Sequence, residues 1–156
     1  MTKNFNDDDF LAYSKEHVFH EVQMLFYTRT LLLNNSWDES RKLLKNAIIE
    51  SFVIHLRNLI TFLYPTKNPW DMDVYAKDFF SDPNKWEEVI PKSLEKARER
   101  ANKEVGHLTT ERIIGAPPEK DWLVAELTEE ILPILKSFCD RADKGKLDMV
   151  VSNLLK

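Results

Sequence analysis

Arg100 and His107 stand seven residues apart, which is two helical turns, so a helix carrying both shows them on one side. Gly106 immediately precedes His107 and puts the histidine close to the helix C-terminus. The partial negative charge of the last carbonyls there favours an imidazolium. An arginine that grips a phosphodiester beside a histidine that moves a proton is the pair that metal-free RNA cleavage through the 2′-OH requires.

A second polar set lies upstream. Ser51, His55 and Asn58 are spaced i, i+4, i+7 and share one face with Leu44, Ile48, Leu59 and Phe62. Polar groups on such a face need hydrogen-bond partners, or each costs about 1–3 kcal/mol. The spacing fits first a satisfied structural network and second the lining of a cleft or subunit interface. Arg57 lies about 100° round the helix from Asn58, on a strip with Asn46, Glu50 and Thr61. It joins the site only if that strip faces the third helix.

His17, His20, His55 and His107 come from three expected helices, with Glu21 and Glu104 as further ligand types. A di-iron bundle needs two Glu-x-x-His steps, and only Glu104–His107 supplies one. A His-x-x-x-His pair is also missing, so a metal-binding helical bundle is the third reading, and no cofactor or metal ligand is assigned. Cys139 follows Phe138 on an amphipathic stretch and reads as buried packing. No glycine-rich phosphate loop or Gly-x-Ser-x-Gly elbow occurs.

An arginine, four to six intervening residues and a histidine near a helix end resemble the motif of the HEPN superfamily. The resemblance implies a bundle of four or five helices that often dimerises so that two motifs face each other. It also implies either a metal-independent endoribonuclease or an inactive relative, with RNA, a nucleotidyltransferase or an antitoxin as partner. On that resemblance Arg100 would stabilise the scissile phosphate, His107 would be general acid or base, and Asn102 would be the motif's accompanying polar residue. Ser51, His55, Arg57 and Asn58 would be the supporting cluster. The sequence departs from the pattern at Ala101, which follows Arg100 directly. Asn102 thus comes one position late and points about 160° from Arg100 on an ideal helix. The segment Asn102-Lys103-Glu104-Val105-Gly106-His107-Leu108-Thr109 also resembles one common in uncharacterised small bacterial proteins. The alternative is a homodimeric interaction module without chemistry, its contact made by the aromatics of Pro65–Trp86 and the tail Met149-Val150-Val151-Leu154-Leu155.

Helices must position these groups. The first is expected to start near Phe10 or Glu16 and to end before the turn Asn34-Asn35-Ser36, with Leu11, Val18, Val22, Leu25, Arg29 and Leu32 on one stripe. Ser36 or Asp38 opens the second, apolar nearly all round and so central to the bundle, which Tyr64-Pro65 ends. Pro65–Pro91 is irregular, with a short helix over 73–80 and a capped turn at Ser81-Asp82-Pro83. The third helix spans Pro91 to Gly106 or His107. The fourth spans Glu119–Ala142 with a kink at Pro133, and a short last helix spans Lys146–Leu155. The fold class is all-α, a four- to five-helix up-and-down bundle in one domain of 1–156, with 1–9 as a disordered tail.

The composition agrees. Of 156 residues only three are glycine, too few for the turns of a sandwich or barrel, and 43% are hydrophobic against 31% charged. The net charge of −4 argues against a broad basic face for phosphates. A lone cysteine and no apolar signal core at the N-terminus point to the cytoplasm. Ala47–Tyr64 carries Glu50, Ser51, His55, Arg57 and Asn58, too many polar groups for a membrane span.

Overall fold

The computed structural model describes residues 5–66, 68–106, 110–113 and 121–156, and the fold is all-α, with no strand among the described residues. In chain order the α-helices are α1 (Asp7–Tyr13), α2 (Phe19–Asn34), α3 (Lys42–Leu63), α4 (Lys92–Arg100), α5 (Val124–Arg141) and α6 (Met149–Asn153). α2 packs on α3, α3 on α4, α4 on α5 and α5 back on α2, which closes a bundle around one core. α6 rests on α5 and α2.

α1 begins inside the span expected to be a tail. Asn6 accepts from the Asp9 amide at 2.9 Å and Asp9 accepts from the Asn6 amide at 3.0 Å, a capping box that fixes the first turn. Asp7, Asp8 and Asp9 add negative charge where the helix dipole favours it.

α1 and α2 are joined without a break by a π-helical turn, Ser14–Val18. Phe10, Ser14, Val18 and Val22 are all buried, three successive steps of four residues. On a 3.6-residue helix each such step over-rotates the stripe by about 40°. The wider π turn absorbs that excess and keeps all four facing inward. For the same reason Phe10 and Ser14, and not Leu11, form the inward face at this end; Leu11 is half-buried. Ser14 is fully buried, yet satisfied: its Oγ donates to the Leu11 carbonyl at 2.9 Å and accepts from the Asp148 amide at 2.9 Å.

Asp38 opens the second rod as a cap, accepting from the Arg41 amide at 3.2 Å. The expectation that this helix is central along its whole length fails in its first turns. Leu43 is 85% exposed and Leu44 57%, because only the later half of α3 is enclosed by other helices. The end at Tyr64-Pro65 is tied off by side chains. Trp86 Nε1 donates to the Leu63 carbonyl at 2.9 Å and Arg98 Nη1 to the Tyr64 carbonyl at 2.6 Å, so the last carbonyls of α3 have partners.

The proline- and aromatic-rich segment has two short 3₁₀ turns, Ala76–Phe79 and Pro83–Lys85, the second capped by Asp82. Phe79, Phe80 and Trp86 insert into the core against Phe62 and Phe138. They are therefore unavailable for an interface, and of the expected contact aromatics Trp70 stays exposed. The C-terminal tail divides similarly: Val151 and Leu155 are buried and Met149 is exposed.

α5 starts at Val124, later than expected, with Trp122 and Leu123 in irregular chain before it; Glu119 lies outside the described residues. Pro133 sits within α5 on its exposed side and the helix continues through it. Cys139 is buried, and burial pushes its thiol up to about 11 from an ordinary 9.0. Burial likewise pushes the Tyr64 phenol up to about 12 from 10.0. Both groups keep their protons in the fold at pH values where the unfolded chain gives them up. Their contribution is complete below about pH 9 and is lost as pH rises through 9–11 for the thiol and 10–12 for the phenol. Thermal melts should show a falling Tm over that window, with a shallower fall in Cys139→Ala; a Tm flat to pH 11 contradicts this.

Candidate functional site

The first rod, Asp7–Asn34 (α1, the π turn and α2), together with α3 and the segment Met72–Tyr75, walls an open cavity of about 500 Å³. Tyr13, His17 and Glu21 come from the first rod, and Arg57 and Asn58 from α3. Asp73 comes from the connecting segment. The volume is that of a small-molecule site. Its apolar surface includes Val18, Leu59, Phe62 and Val74.

The polar walls are held in place. Glu21 Oε2 lies 2.8 Å from His55 Nδ1, and Asn58 Nδ2 donates to the same carboxylate at 3.3 Å. His55 and Asn58 therefore act together, as their spacing suggests, and Glu21 is what joins them. The His20 ring meets His55 edge-on at 5.5 Å between centroids. Ser51 takes no part in this network among the described residues.

Arg57 faces the third helix. Its Nε donates to Asn102 Oδ1 at 2.5 Å. Its terminal nitrogens have no protein partner among the described residues, so the free edge of the guanidinium is available to the cavity it lines. Asn102 lies in a second π-helical turn, Ala101–Val105, which continues α4. Two π turns thus flank one cavity: the first carries His17, and the second carries the asparagine that orients Arg57. Such turns recur at functional sites because they re-aim side chains without ending the helix.

Arg100 goes elsewhere. Its Nε and Nη2 donate to the two carboxylate oxygens of Glu104 at 2.9 and 3.0 Å, and its guanidinium lies 4.3 Å over the Trp122 ring. It borders a separate cavity of about 380 Å³ with Lys96, Trp122 and Leu123. Arg100 and Asn102 are consequently on different sides, as the displaced register requires. His107 lies outside the described residues.

The chain matches no family model, no curated protein and no solved structure. What the site can do therefore rests on its own groups. Among the described residues no group of three or more His, Cys, Asp or Glu side chains can hold a metal ion, and no helix is long and apolar enough to cross a membrane. The Tyr13 ring meets that of His17 at 4.8 Å between centroids, tilted by 52°. Its phenol is pushed up by burial and then by the charges of Glu21 and Asp73. One part of the cavity is therefore electronegative, while Arg57 supplies positive charge on α3.

The spacing put His55 and Asn58 on one face with Ser51 and put Arg57 on another strip; it assigned no role to Tyr13 or Asp73, and His17 and Glu21 figured only as metal ligands. His17 and Glu21 stand four apart with Val18 and Val22, the buried stripe, beside them. A polar pair bordering an apolar stripe was the available signal.

Proposed function

We propose that this chain is a HEPN-like helical module of the inactive kind, which binds a small polar ligand in the cavity between the first rod and α3 and does not cut RNA. One observation carries the proposal, the sorting of its polar groups. Arg57, Asn58 and Glu21 are fixed at a ligand-sized cavity by Asn102 and His55. Arg100 is neutralised by a bidentate carboxylate and covered by an indole. An arginine so engaged has to leave both partners before it can hold a phosphodiester.

The test is RNA digestion without metal by the purified protein, with Arg100→Ala and His107→Ala alongside. The expected result is no cleavage above the blank in any of the three. Cleavage by the parent protein that both substitutions abolish would replace this reading with the endoribonuclease one. That second reading has its own support: Arg100 borders the 380 Å³ cavity, where a neighbouring copy or an RNA strand can approach it. A cytoplasmic homodimer is part of the proposal, supported by the apolar side chains of Leu43 and Leu44 left in solvent at the start of α3.

A further inference from the structure

The ligand class can be narrowed from the charges around the cavity, and this step rests on the ligand-binding reading above. Arg57 is half-buried and pinned at Nε, so its two terminal nitrogens form a fixed fork. Such a fork matches a carboxylate, which accepts two parallel N–H bonds. Glu21 and Asp73 line the same cavity. Glu21 and Asp73 both lie near enough to Tyr13 for their charges to raise its phenol. Positive and negative groups therefore line one cavity. A ligand that is purely anionic meets Glu21 and Asp73, and one that is purely cationic meets Arg57. A molecule carrying both charges avoids either conflict. Between these polar groups the lining is apolar, with Val18, Leu59, Phe62 and Val74.

We propose that the cavity binds a free α-amino acid with an apolar side chain. Its carboxylate lies on the Arg57 fork, its ammonium at the Glu21–Asp73 side and its side chain against the aliphatic and aromatic lining. Asn102 is a positioning residue for this site: it touches no ligand and holds the fork in one orientation.

Isothermal titration of the full chain with three related probes tests the assignment. L-Phenylalanine carries both charges, N-acetyl-L-phenylalanine lacks the ammonium, and L-phenylalaninamide lacks the carboxylate. The expected order is phenylalanine first, with each truncated probe weaker by about tenfold or more, the loss of one charged hydrogen-bonded contact. Arg57→Gln should weaken phenylalanine and the N-acetyl probe by a similar factor and leave the amide unchanged. Asp73→Asn should weaken phenylalanine and the amide and leave the N-acetyl probe unchanged. Asn102→Ala should follow Arg57→Gln with a smaller loss, while circular dichroism stays that of the parent. This crossed pattern cannot arise from misfolding, which lowers all three probes together. Equal binding of the three probes, or tighter binding of either truncated one, overturns the amino-acid assignment and leaves the cavity as a site for another ligand. Absence of binding by all three overturns it as well, and the fate of the non-cleaving reading is then decided by the RNA digestion alone.

Discussion

Phe138→Ala is expected to cost about 3–5 kcal/mol of stability, the range for emptying a buried aromatic site. Phe138 is fully buried, and its ring meets those of Phe62, Phe79, Phe80 and Trp86 at centroid distances of 5.2 to 6.2 Å. These rings come from α3, from the irregular segment and from α5, so Phe138 is where three parts of the chain are fastened together. Its removal leaves four rings facing a void that the surrounding helices can only partly close. The loss should also reach the ligand cavity, because Phe62 lines it and is held from behind by Phe138 and Phe79. Chemical denaturation with circular dichroism measures the effect. A loss below about 1 kcal/mol would mean that the irregular segment is not anchored through this contact.

Glu21→Ala is expected to be the most damaging change in the site itself, at about 1–3 kcal/mol, the cost of leaving half-buried polar groups without partners. The substitution strands His55 Nδ1 and Asn58 Nδ2 together, since both bind the one carboxylate. Glu21→Gln keeps an oxygen for one of them, and its loss should be within about 1 kcal/mol, near the net worth of a single neutral hydrogen bond. Parallel denaturation curves for the two variants make the comparison. If both variants lose equally, the network is held by charge and not by hydrogen bonding. If neither loses stability, the three side chains are solvated neighbours and not a structural unit.

The helical class was readable because the signals are strong and local. Glycine is scarce, the apolar stripes have helical spacing, and Asp38 and Asp82 cap the turns that their positions predict. Tyr64-Pro65 ended α3 for the steric reason that proline imposes on its predecessor. The π turns were not readable as such, although the four-residue steps through Phe10, Ser14, Val18 and Val22 carry their trace. A stripe search at ideal pitch slides past that register and selects Leu11. The burial of Phe79, Phe80 and Trp86 was equally hidden, because an irregular segment has no periodicity from which to tell its inward side.

The site shows the same division. His55 and Asn58 were placed together by spacing within one helix, and the structure brings them to one carboxylate. That the carboxylate is Glu21, 34 residues away in the chain, depends on how α2 and α3 pack, which no local pattern encodes. Arg57 carried a stated condition, that its strip face the third helix, and its bond to Asn102 meets it. The separation of Asn102 from Arg100 was visible in the register, since Ala101 displaces the asparagine by one position. Of the partners of Arg100, Glu104 is four residues on and within helical reach, whereas Trp122, 22 residues on, is brought to it by packing that no local pattern encodes.

On this reading the cavity between the first rod and α3 is the ligand site, and Arg100 is not. Crystals of the protein soaked with a library of small polar fragments test it most directly. Bound fragments are expected to concentrate between Arg57, Tyr13 and Asp73, with an acidic group on the Arg57 fork. Fragments gathered on Arg100 beside Trp122, with the cavity at Arg57 left empty, would contradict it.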